Sequence, residues 1–187
     1  MILVFVIVFC AIVALGFGAA SAWSDISRLT IPNTYAISIA VAFIPAYLLI
    51  TFMAPETEVF FAWKSHLIAA AIAFVITYIL FHLKLMGGGD SKLLSAYALW
   101  VGLSGLMPLV FIMAVVGGIL GLLTLVFKKW KPFKKTVKGS WVAKAQAGEE
   151  SVPYGVAIFS GALVTFWQLG FLKPETIMAL AETGTGY

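Results

Sequence analysis

The stretch LLSAYALWVGLSGLMPLVFIMAVVGGILGLLTLVF, residues 93–127, contains no charged residue, and its reading decides the fold. As a single helix it would run about 52 Å at roughly 1.5 Å per residue, against a hydrocarbon core of about 30 Å. It is too long to cross once. Gly102, Ser104, Gly105 and Pro108 are its turn-forming residues, so we expect a tight hairpin at about residues 105–108 between a span at 93–107 and a span at 109–127.

Working outward, four further apolar runs occupy residues 2–22, 35–53, 63–81 and 154–172. With 62% apolar and 11% charged residues among 187, a soluble fold is excluded. The chain reads as an all-α, polytopic integral membrane protein of about six transmembrane helices. Residues 1–187 form one membrane-embedded domain, and the basic segment 128–153 is a loop within it. The first run ends in Gly18-Ala19-Ala20-Ser21-Ala22, which resembles a signal-peptidase site. It lacks a basic segment before the apolar run, and that run exceeds a typical signal core, so a retained first helix is expected.

Lysine and arginine concentrate on the cytoplasmic side of membrane proteins. With six spans, Arg28, Lys84, Lys92 and the seven lysines between Lys128 and Lys144 share one side, while Lys64 and Lys173 share the other. The first side is expected to be cytoplasmic, with both termini, Glu56, Glu58, Glu175 and Glu182 outside. Attraction to anionic lipid explains the basic loop, so the bilayer is an expected partner and nucleic acid is not. Cys10 is the lone cysteine, and no Cys/His cluster has zinc spacing, so neither a disulfide framework, a metal nor a cofactor is expected.

Asp25 and Asp90 stand out among the eight acidic residues, because each lies at a cytoplasmic membrane boundary. The intervening out-and-back pair of spans returns them to one side. Ionisable groups at membrane depth are costly and usually functional. Before Asp90 the chain reads Met86-Gly87-Gly88-Gly89, a run that lets another backbone approach closely. After Asp25 comes Ile31-Pro32-Asn33, with Pro32 placed to start the second helix.

Asp25 with Ile31-Pro32-Asn33, the Gly87-x-Gly89-Asp90 element followed by Lys92-Leu93, and the Val152-Pro153-Tyr154-Gly155-x-Ala157 entry to the last span together resemble the type IV prepilin peptidase family. Its glycine-x-glycine-aspartate motif is similar to that of presenilin-like and archaeal preflagellin peptidases. The resemblance implies that Asp25 and Asp90 are the catalytic pair, that Gly87 and Gly89 are motif glycines, and that Pro153-Tyr154-Gly155 is a conformational element near the site. It also implies a pilin precursor as substrate: a short basic leader and an apolar helix, cut after a leader glycine at the cytoplasmic face of the bacterial inner membrane. Full-length members carry a paired-cysteine insertion and an N-methyltransferase activity. This chain lacks the insertion, and it is similar to the short peptidase of tight-adherence (Tad/Flp) pilus systems, so no methyltransferase activity is expected.

Two carboxylates suffice for peptide hydrolysis, one taking a proton from water while the other, protonated, polarises the scissile carbonyl. No Ser/His/Asp or Cys/His constellation competes. His66 is expected as a solvated outer-face residue and His82 as an interfacial anchor. Lys92 is either a cation acting on Asp90 or on an acidic substrate group, or a snorkelling boundary lysine. Gly117-x-x-x-Gly121 reads as a helix-packing seam. A small proton- or cation-coupled transporter using Asp25 and Asp90 as a relay is the alternative function, although such residues usually lie near the bilayer midplane in repeated halves, and neither feature is visible here. A non-enzymatic assembly scaffold is a third option.

Overall fold

The structure, a computed structural model, describes residues 2–53, 63–173, 175 and 178. Every regular element among them is helical: α1 (Ile2–Arg28), α2 (Asn33–Met53), α3 (Trp63–His82), α4 (Gly88–Trp130), α5 (Trp141–Ala147) and α6 (Tyr154–Gln168). The first four are long and apolar enough to cross a bilayer. Glu56, Glu58, Glu182 and both chain ends, expected outside the membrane, lie beyond the described residues.

Several boundaries differ from the sequence reading. Rather than ending at Ala22, α1 continues to Arg28, so Asp25 sits in its last turn. Leu29 then stops the helix in the left-handed region (φ 52°), its N–H donating to the Asp25 carbonyl at 2.8 Å. Pro32 precedes α2 instead of opening it, its carbonyl accepting from Tyr35 N–H at 3.1 Å. The last helix ends at Gln168, and the chain then bends so that Phe171 tucks against Phe166 and Trp100.

The 43 residues of α4 fold back on themselves, and the break is at Gly102, not at residues 105–108. Gly102 has φ 62° and ψ −171°, a combination open in practice to glycine alone. An unbroken helix would join Leu99 C=O to Leu103 N–H, and the break separates them. The start of α3 takes both groups: His66 Nδ1–H donates to Leu99 O at 2.8 Å, and Leu103 N–H donates to Ser65 Oγ at 3.0 Å. Rehousing freed backbone groups is what permits such a break in a membrane protein. His66 is therefore buried, contrary to the solvated position expected of it. The reversal is also evident from contacts. A straight helix would hold Asp90 and Gly117 about 40 Å apart, yet Gly117 packs on Tyr154, which lines the same cavity as Asp90.

The limb before the break, residues 88–101, is the centre of the bundle. Tyr97 Oη donates to Ala14 O of α1 at 2.9 Å, Trp100 Nε1 to Ile39 O of α2 at 2.8 Å, and Ser91 shares a 2.7 Å hydroxyl contact with Thr77 of α3. Phe166 of α6 lies against both Tyr97 and Trp100. The returning limb, 103–130, packs closely on α6, where a Cβ on Gly161 would stand 2.6 Å from Leu109 O. Of the expected glycine seam only Gly117 is in contact, against Tyr154 and Ala157, while Gly121 faces open space.

The basic loop is more ordered than its composition suggests. Ser140 caps α5 by accepting from Ala143 N–H at 3.3 Å, and Gly148 closes it at φ 104°. Trp141 is buried and donates through Nε1 to Thr124 Oγ1 at 2.9 Å, which ties α5 to α4.

Gly102→Ala forces a side chain into a glycine-only conformation with its Cβ 3.1 Å from Ser65 Oγ. We expect it to lower stability by about 1–3 kcal/mol. Gly118→Ala, in open space on the same helix, serves as the near-neutral control. Thermal unfolding of the two variants in detergent separates these outcomes.

Candidate active site

Asp25 and Asp90 are both buried, and both are held by the same device: an oxygen of each carboxylate accepts from a backbone N–H at a helix N-terminus. The first turn of a helix leaves its N–H groups without intrahelical partners, and a carboxylate is a favoured acceptor there. Asp90 stands at the third position of α4, and its Oδ2 accepts from Gly87 N–H at 3.2 Å. Asp25 performs the equivalent task across 130 residues of sequence, its Oδ2 accepting from Gly155 N–H of α6 at 2.7 Å. Pro153, at the cap position of α6, has no side-chain acceptor to offer, so Asp25 takes that role. Asp90 Oδ1 makes no hydrogen bond among the described residues.

The glycines around the pair are explained by what a Cβ would meet. On Gly87 it would lie 2.7 Å from Asp90 Oδ2; on Gly89, 3.0 Å from Ile31 Cβ; on Gly155, 2.9 Å from Ile31 Cδ1 and 3.0 Å from Asp25 Oδ2. Ile31 is thus the point at which three distant segments meet: the end of α1, the start of α4 and the start of α6.

A cavity of about 700 Å³ opens over both aspartates. Of the residues singled out from sequence, Asp25, Asp90, Gly87 and Tyr154 line it, while Gly89, Pro153 and Gly155 support it from behind. Lys92 and Asn33 do not reach it. Lys92 Nζ donates to Asn33 Oδ1 at 2.9 Å, and both line a separate groove between α2, α3 and α4. Pro32 is exposed beside Ile31. His82 is exposed and tilted against Tyr78, with ring centroids 4.3 Å apart, and does not line the cavity.

Sequence reasoning missed the cavity walls. Phe81 comes from the end of α3, Lys84 and Met86 from the turn before α4, Lys144 from α5, and Glu150 and Val152 from the segment between α5 and α6. Lys128 Nζ lies 2.6 Å from Glu150 Oε1 and holds that carboxyl below its ordinary range through hydrogen bond and charge. The signal for Lys144 was present in the Ser140 start and Gly148 stop of a short helix. No local signal marks Lys84. Two carboxylates opening on one water-accessible cavity can divide acid and base roles between them.

Residues 12–122 match a family model described as "Type IV leader peptidase family". The chain is 30% identical over 112 residues to a prepilin leader peptidase/N-methyltransferase of Xanthomonas campestris pv. campestris, an alignment that covers 56% of this chain and 33% of that protein. The chain thus spans about a third of the length of the curated relative it matches. No solved structure matches it.

Removing the acceptor for Gly155 N–H should loosen the start of α6. Asp25→Ala is expected to cost about 1 kcal/mol in thermal unfolding and to speed hydrogen exchange at residues 154–157. Asp25→Asn keeps a carbonyl oxygen as acceptor and should retain most of that protection. Equal exchange in the two variants would count against the capping role.

Proposed function

We propose that this chain, which belongs to the type IV leader peptidase family, is an aspartic endopeptidase that removes the short basic leader of type IV pilin precursors. Asp25 and Asp90 are its catalytic pair. The observation that carries this reading is that the two aspartates open on one cavity, each with a carboxylate oxygen fixed by a backbone N–H.

Fixing one oxygen of each carboxylate sets its orientation, and Asp90 Oδ1, buried and without a hydrogen-bond partner among the described residues, is the oxygen that the substrate or the shared proton would engage. One aspartate, ionised, takes a proton from a water in the cavity as that water attacks the scissile carbonyl. The other, protonated, donates to the developing oxyanion and later to the leaving nitrogen. Which aspartate begins in which state is a property of the coupled pair. A peptide bond must be extended to be cut, because helical carbonyls are already hydrogen-bonded. The open cavity of about 700 Å³ over the two aspartates suits that requirement.

The substrates are Flp-like precursors with an apolar helix following the leader, and the reaction is hydrolysis without methyl transfer. Cys10, buried in α1, is the chain's one cysteine, so the paired-cysteine insertion associated with the second activity has no counterpart here. The enzyme resides in the bacterial inner membrane with the aspartate end at the cytoplasmic face and both termini outward. The clustering of Arg28, Lys84 and the basic loop at that end supports this orientation.

Asp25→Asn and Asp90→Asn should each abolish processing of a co-expressed precursor, read as the mature N-terminus by mass spectrometry, while the protein still accumulates in membranes. Near-normal processing by either variant would eliminate the aspartic mechanism. Reporter fusions should place Lys135 in the cytoplasm and Glu175 outside; an external Lys135 would overturn the orientation.

A further inference from the structure

The walls of the aspartate cavity carry cations that hydrolysis does not use. Lys84 lies in the turn between α3 and α4 with φ 58°. Its N–H donates to Phe81 O at 3.0 Å, and Leu85 N–H donates to Leu80 O at 2.9 Å. This is the Schellman pattern of helix termination, in which glycine normally fills the place Lys84 holds. Glycine would adopt that backbone at lower energy, so the lysine is kept at the cavity edge against local preference. Leu29, the left-handed residue that ends α1, lines the same cavity.

Lys144, on α5, lines the same cavity and is half-buried. Its helix, α5, is fixed by the Trp141–Thr124 bond and by paired bonds between Phe133 and Gln146, at 3.1 and 2.9 Å. Lys144 Nζ makes a long ion pair with Glu149 Oε2, at 3.9 Å. Apart from the aspartate pair, the carboxylate lining this cavity is Glu150, and Lys128 already neutralises it at 2.6 Å. Lys84 makes no ion pair among the described residues and Lys144 only the long one to Glu149, so each brings a cation to the lining of the aspartate cavity.

The geometry points to Lys84 and Lys144 as specificity residues that together receive an acidic side chain of the substrate, in its hydrophilic segment beside the scissile bond. This inference rests on the peptidase function proposed above. A lysine reaches about 6 Å from its backbone, and an extended chain rises about 3.3 Å per residue, so the acidic group lies within roughly two or three residues of the bond. Like charges facing each other across an interface are disfavoured. The leader's basic residues therefore belong farther toward its N-terminus, beyond the two lysines.

The test uses the full chain in detergent and precursor peptides that differ only at the position two residues before the cleaved bond, carrying Glu, Gln or Lys. Wild type should cleave in the order Glu, Gln, Lys, with kcat/KM about tenfold higher for Glu than for Lys at low salt and a smaller ratio at high salt. Lys84→Gly together with Lys144→Gln should bring the ratio to about one, and Lys84→Glu with Lys144→Glu should invert it. Because Lys84→Gly relieves the left-handed turn, its thermal midpoint should not fall, which separates lost charge from lost fold. A wild-type ratio near one, or a ratio unchanged in the double variants, overturns the lysine assignment alone. Cleavage of none of the peptides by wild type overturns the peptidase reading and this inference with it.

Discussion

The rest of the structure depends on two hydrogen bonds that replace one. Breaking a helix inside a bilayer exposes a carbonyl and an amide where no water waits to receive them. At Gly102 the freed groups are Leu99 C=O and Leu103 N–H, and His66 and Ser65 of α3 accommodate both. With that provision α4 doubles back within the thickness of the bundle. Its first limb becomes the central helix, and its second returns to the end from which the first set out.

The return determines where the site forms. Both ends of α4, the C-terminal ends of α1 and α3 and the N-terminal ends of α2 and α6 gather at one end of the bundle. The carboxylates are placed there by unsatisfied backbone N–H groups: Asp90 by the start of its own helix, Asp25 by the start of α6. Each aspartate thus does structural work with one oxygen. The glycines at 87, 89 and 155 make the convergence possible, because a methyl group on any of them would meet Asp90, Ile31 or Asp25 at 3.0 Å or less.

Around this rigid floor the walls are built from connections. The α3–α4 turn and the segment from α5 to α6 supply the side chains that a substrate would meet first. The α5 segment is held by a buried tryptophan and a glutamine clasp, not by its lysines. Of its basic residues, Lys144 reaches the cavity while also pairing with Glu149 at 3.9 Å.

Sequence by itself determined the helical class, the double crossing of residues 93–127 and the two aspartates, because each rests on a local rule: hydrocarbon thickness, apolar run length, and the cost of an ionisable group at a membrane boundary. It also marked the glycines and Ile31-Pro32-Asn33 as a set, without saying what joins them. Only the tertiary structure decided that the break falls at Gly102, since its partners Ser65 and His66 are 37 and 36 residues away and no pattern within the α4 sequence announces them. The same holds for Lys92, which on sequence spacing stands beside Asp90 but on the helix surface points to Asn33 and another groove. It holds for Lys84 and Lys144, which share a cavity because the α3–α4 turn and α5 border it together. Periodicity records which face of a helix is apolar; which distant backbone group completes a broken hydrogen bond is settled when the helices pack.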